Sequence, residues 1–204
     1  LVGQPVGVAV KGVDHVNQIV ACSRREIAEA AARQSLAEVQ EGEVREAVVR
    51  ALLPARRKEG LSPGLLLEVA RDVWVEVYVP EALTWLSLPL ARQYVAGQAV
   101  RVVVREIDRE QGNLVVSVRA AIGDPWLAAD LHPGLHPGAR VLGYVYRIYP
   151  QRALLFVELR PHLVGLAPYF GDRRVRRGTK VVCRVKRIDP AQRKLRLAFE
   201  HVCV

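Results

Sequence analysis

The sequence of 204 residues has no methionine and only three cysteines, Cys22, Cys183 and Cys203. None of them forms a CxxC pair, so neither a zinc ribbon nor a disulfide framework is expected, and a reducing cytoplasm is the expected setting. No apolar run approaches the roughly 18–20 residues of a membrane span. The first residues lack the basic-then-apolar pattern of a signal peptide. The chain opens on leucine in the middle of a repeated pattern, which predicts a piece of a longer protein. There is no Gly-rich phosphate loop before a helix, no nucleophile with a paired base and no carboxylate cluster, so catalysis is not expected. His132 and His136 stand four apart, a spacing that suits a metal on a helix. They lie in "LHPGLHPG", where proline forbids the helix, so no metal site and no cofactor are expected.

Positive charge is abundant but unevenly placed. The whole chain carries a net +9, and from Gly134 to Val204 fifteen Lys or Arg face only four Asp or Glu, a net of +11. The first 133 residues therefore carry about −2. A polyanion is to be sought at the C-terminal end.

Repetition organises the chain. "VREIDREQGNLVVSVR" (104–119) and "VKRIDPAQRKLRLAFE" (185–200) align without a gap at an offset of 81. Upstream, Gly178-Thr-Lys-Val falls on Gly97-Gln-Ala-Val, and a fainter copy opens the chain as Gly3-Gln-Pro-Val, Asp14 and "IVACSRR". Short Val-, Ile- and aromatic-rich runs alternate and are joined by turns such as "DREQGN" and "DPAQRK", which predicts antiparallel hairpins. Asp14, Asp108 and Asp189 precede the turns, and an Asx turn accounts for them. "SRREIAEAAARQSLAEVQEG" predicts the one helix, from about 24 to 39, with Ser23 and Glu26 as a capping box, an apolar stripe of Ile27, Ala31, Leu36 and Val39, and Gly42 as its end. The expected organisation is a partial hairpin (1–24), a helical linker (25–40), a complete unit (41–120), a Pro/Gly-rich linker (121–137) and a basic complete unit (138–204). Five short strands in about 70 residues fit a small closed barrel, which leaves no exposed edges.

The order of motifs resembles the S-one RNA-binding domain, the OB-fold module named after the largest protein of the bacterial small ribosomal subunit. The last unit supplies "GARVLGYV" (138–145), "ALLFVEL" (153–159), "VGLAP" (164–168), "GTKVVCRVKRID" (178–189) and "LRLAF" (195–199). The unit before it supplies "GEVREAVV" (42–49), "GLLLEV" (64–69), "VYVPEALTW" (77–85), "GQAVRVVVREID" (97–108) and "LVVSVR" (114–119). The resemblance implies a mainly β chain of tandem five-stranded OB-fold barrels, S-one type, with one connecting α-helix. It also implies single-stranded RNA as partner. In that family an aromatic on the second strand stacks a base; here it is Phe156 in the last unit and only Leu66 in the one before. The family's histidine on the third strand is Pro168 and Pro80, and the basic residue after the Asp turn is Lys194 and Asn113. The last unit is thus the expected binder, and the one before it a spacer or protein contact.

If Val145 faces the core, Tyr144 and Tyr146 both stand outside the barrel beside Phe156, ready to stack bases. Around them the sequence places Arg147, Arg152, Lys186, Arg187, Lys194 and Arg196, and "GDRRVRRGTK" adds Arg173, Arg174, Arg176 and Arg177 as a phosphate clamp. "ARRKEG" (55–60) is a second, weaker candidate loop. Trp74, Trp85 and Trp126 read as core or inter-domain packing.

The function expected is non-catalytic binding of single-stranded RNA by a monomeric bacterial cytoplasmic protein, with the ribosome as a candidate setting. Two other readings stand beside it: a module that docks a larger protein on the ribosome or RNA polymerase, and the RNA-feeding appendage of a nuclease.

Overall fold

The structure, a computed structural model, describes residues 7–127 and 134–203. An N-terminal hairpin, β1 (Ala9–Asp14) and β2 (Ile19–Ser23), leads into α1 (Arg25–Ala37). Five strands follow in the first unit: β3 (Val44–Leu53), β4 (Gly64–Ala70), β5 (Val73–Tyr78), β6 (Ala99–Asp108) and β7 (Asn113–Ser117). The second unit repeats them as β8 (Arg140–Tyr149), β9 (Leu154–Arg160), β10 (Leu163–Pro168), β11 (Lys180–Asp189) and β12 (Lys194–Val202). Among the described residues the chain forms the expected mainly β architecture of two five-stranded barrel sheets and one α-helix.

In the second unit the sheet closes in the order β8-β9-β10-β12-β11 and back to β8, the Greek-key order of an OB barrel. Every pairing is antiparallel except the closing one, where Leu166 of β10 lies opposite Arg196 of β12 in parallel. The first unit has the same order, β5-β4-β3-β6-β7, but β5 and β7 touch without a ladder between them.

One glycine framework builds both barrels. Gly42, Gly97, Gly138 and Gly178 all have φ near +80 to +90°, a region that costs other residues strain, and each opens a first or fourth strand. Their N–H groups donate to Val104, Val49, Val185 and Val145 respectively, at 2.7–2.9 Å. Each of those valines is fully or nearly fully buried and stands just before a β-bulge. The bulged residues are Arg50, Arg105, Tyr146 and Lys186. A bulge bends its strand and re-aims the side chains beyond it. Strict alternation therefore fails after Val145.

The hairpin turns carry the expected Asx bonds. Asp14 Oδ1 accepts from Val16 and Asn17, Asp108 from Glu110 and Gln111, and Asp189 from Gln192, at 2.9–3.1 Å. The side chain and backbone of Asn17, with the Val16 N–H, hold the exposed Asp14 carboxyl below its usual range.

Three expectations are corrected. The helix starts without a side-chain cap at Arg24, because Ser23 is the last residue of β2, paired with Ala9, and Glu26 pairs with Lys11 of β1. Its buried contact comes from Leu36, with Val39 just beyond its end, while Ile27 is exposed, and Gly42 opens β3 rather than ending the helix. On the third strand the register sets Tyr78 rather than Pro80 at the place of Pro168, since both pair with the start of the second strand. His132 and Gly3 to Val6 lie outside the described residues. In the N-terminal hairpin Val8, Val10 and Val20 are 44–59% exposed, whereas the matching Val102, Val104 and Leu114 are core.

Candidate nucleic-acid interface

On β9, Leu155 and Val157 point inward with no exposed surface, so Phe156 between them points outward. Across the sheet Phe156 lies opposite Arg147 of β8 on one side and Leu166 of β10 on the other. Leu166 lies opposite Arg196, and Arg196 opposite Arg187. Directly paired residues share a face, so the outside of the barrel carries a belt of Arg147, Phe156, Leu166, Arg196 and Arg187. Beside it run Tyr149, Leu154 and Pro168, again in register. The Tyr149 ring stands edge-on to Phe156 at 5.5 Å, and the Arg147 guanidinium lies 4.7 Å from the Tyr149 centroid. An aromatic pair flanked by guanidinium groups offers bases a stacking surface and phosphates a counter-charge.

The loop from β10 to β11 borders this face. Its Arg176 and Arg177, with Tyr146, Arg147, Ile148 and Val175, line a cleft of about 530 Å³. Arg177 sits 6.0 Å from the Tyr146 centroid. Arg174 is engaged with Asp172, whose carboxyl it holds below the usual range by hydrogen bonding. Arg152, Arg173 and Lys186 are exposed, Lys194 bonds Gln192 at 2.8 Å, and Arg187 stands 3.5 Å from Asp189.

The rings of the two tyrosines expected beside Phe156 make other contacts. Tyr146 is the bulged residue and belongs to the cleft, while Tyr144 stands edge-on to Trp85 of the first unit at 5.5 Å. The aromatic partner of Phe156 is Tyr149, which strict alternation does not place there, because the bulge shifts the phase of β8 by one residue. Phe170, 83% exposed, is a second aromatic that sequence reasoning missed. It begins the Arg-rich loop next to the β8–β9 turn that carries Arg152, where the Tyr169 N–H donates to Ala153 at 2.8 Å. The signal was present in the sequence as the aromatic pair just before the arginine run.

The other half of the same outer face is covered. Opposite Tyr144 stands Glu158, with no exposed surface. Its carboxylate accepts from the N–H of Leu86 (3.0 Å), the N–H and hydroxyl of Ser87 (2.8 and 2.6 Å) and the N–H of His162 (3.0 Å). Burying a carboxylate is costly unless it is hydrogen-bonded, and here four donors meet it. Leu86 and Ser87 sit in the β5–β6 connection of the first unit, which Gln93 organises. The Gln93 amide accepts from Thr84 and Trp85 and donates to Trp85 and Leu88, at 2.7–3.1 Å. Arg177 adds a bond to the Leu86 carbonyl at 2.6 Å. The two barrels are thus docked side by side through the first one's loop.

The matching surface of the first barrel differs. Its belt positions hold Ala51, Leu66, Glu76, Val115 and Glu106. The inserted loop folds back on it, where Arg56 contacts Glu76, Tyr78 and Glu59. Hydrogen bonding to Tyr78 raises the Arg56 pKa and lowers that of Glu76. Trp85 and Trp126 pack as expected, Trp126 against the second core, but Trp74 is half-exposed beside Arg50.

Among the described residues no group of three His, Cys, Asp or Glu is placed to hold a metal. Among them, too, no helix is long and apolar enough to cross a membrane.

No protein-family model matches the chain. No curated protein matches it either. Among solved structures it is similar to a crystal structure described as a multidomain protein with nucleic acid binding domains from Streptococcus pneumoniae TIGR4, at 13% identity and a TM-score of 0.33. That match covers 93% of this chain, which spans 58% of the length of the other.

Proposed function

We propose that this chain binds single-stranded RNA through the outer face of its second barrel and catalyses nothing. The observation that carries the reading is the belt Arg147–Phe156–Leu166–Arg196–Arg187, with Tyr149 against Phe156. Bases stack on the aromatic pair, phosphates meet the flanking arginines, and the Arg176–Arg177 cleft extends the track. The choice of RNA, and of the bacterial cytoplasm and ribosome as its setting, rests on the resemblance to the S-one domain.

Salt-titrated binding of the intact chain to a fluorescent oligouridylate tests it. Replacing Arg147 and Arg196 by Gln is expected to lower the log–log salt slope by roughly 0.7 for each phosphate that is no longer neutralised. Phe156→Ala is expected to weaken binding by roughly 1–3 kcal/mol with the slope unchanged. Wild-type binding by all three substituted proteins would sink the assignment.

A further inference from the structure

The docking loop of the first barrel has a second side. Away from Glu158, its residues Leu83, Leu88 and Ala91 join Leu53 and Pro54 at the end of β3 to form an apolar cleft of about 670 Å³. That lies within the roughly 300–1,000 Å³ usual for small-molecule sites. Among the described residues the one charged side chain lining it is Arg177, which comes from the second barrel. Arg177 also lines the cationic cleft with Tyr146, Arg147 and Arg176, so one guanidinium forms the wall between the two. It is held there by the Leu86 carbonyl and by the Tyr146 ring. The carboxylate at this junction, Glu158, is covered and committed to four donors, so it leaves the guanidinium to an incoming anion.

We propose that the apolar cleft receives an unstacked nucleobase of the same strand that crosses the second barrel, with the intervening phosphate on Arg177. This rests on the reading of the second barrel as the RNA binder. A base fits the cleft better than a peptide side chain because the cleft opens across a single arginine from a surface rich in Arg and Tyr. A base has apolar faces for the cleft walls and a polar edge for its mouth, and single-stranded RNA readily splays bases out. The cleft also needs both barrels, since Arg177 reaches it only when Ser87 and Leu86 are docked on Glu158. The first barrel then contributes an apolar pocket to the site although its own belt positions hold no cation.

The test uses the intact chain, oligouridylates of about four and about eight nucleotides, and an Ala91→Trp variant that fills the cleft from an exposed helical turn. The wild type should bind the longer strand about tenfold more tightly than the shorter. Ala91→Trp should remove that advantage and leave the shorter strand untouched, with an unchanged melting temperature. Photocrosslinking from 4-thiouridine in the longer strand should label residues 83–91 in the wild type alone. Equal affinity for both lengths in the wild type, or a length advantage that survives Ala91→Trp, overturns the proposal and leaves the cleft to a protein segment. Failure to bind even the short strand would instead overturn the reading of the second barrel.

Discussion

The two barrels share a frame and differ on the outside. Arg147, Phe156, Leu166, Arg196 and Arg187 of the second stand where the first has Ala51, Leu66, Glu76, Val115 and Glu106. The aromatic and two of the cations become apolar residues, Arg187 becomes Glu106, and Leu166 becomes Glu76, which pairs with Arg56 of the barrel's own loop. The buried residues beneath hardly change: Val49, Leu65, Leu67 and Val104 match Val145, Leu155, Val157 and Val185. The core therefore specifies the barrel, and the belt sets which barrel carries positive charge on that face.

Closure is the second difference. Gly165 of β10 faces the core where the first barrel has Val75, and a Cβ there would meet Leu197 at 2.5–2.8 Å. The missing side chain lets β10 approach β12 closely enough to form the parallel pair. With Val75 in that place, β5 and β7 stay in contact without pairing.

The largest expected effect comes from breaking the dock that joins the barrels. Glu158→Leu leaves buried donors of Leu86, Ser87 and His162 without an acceptor, at about 1–3 kcal/mol each. Calorimetry should then resolve two unfolding transitions instead of one, and small-angle scattering should show a larger radius of gyration. Glu158→Gln, which keeps one acceptor oxygen, should fall between. Next, Gly165→Val should open the second barrel toward the form of the first and destabilise it by about 1–3 kcal/mol, read from the denaturant midpoint. The smallest effect is expected from Leu66→Ala on the first belt, which should leave RNA affinity within error while Phe156→Ala does not.

Much of the frame was legible because it repeats. Gly42, Gly97, Gly138 and Gly178 recur ahead of strands since each backbone turn needs a positive φ, and the Asp turns recur for their carboxylates. Phe156 and the arginines were legible from their place in that pattern. The phase of β8 was not, because a bulge leaves no residue-type signature and Tyr146 occupies one as readily as Arg50 does. Glu158 was illegible for a different reason. Two of its four donors are backbone N–H groups about 70 residues away, and peptide groups are the same in every sequence. Ser23 misled because a cap motif on paper was already committed to the β1–β2 ladder.

In the proposed assignment one barrel binds RNA and the other supports it. Titrating the isotopically labelled intact chain with a short oligouridylate, and following backbone amide shifts, tests it most directly. Saturable shifts are expected at Arg147, Tyr149, Phe156, Leu166 and Arg196, with Ala51, Glu76 and Glu106 unmoved. Shifts centred on the first belt, or none on the second at low salt, would contradict it.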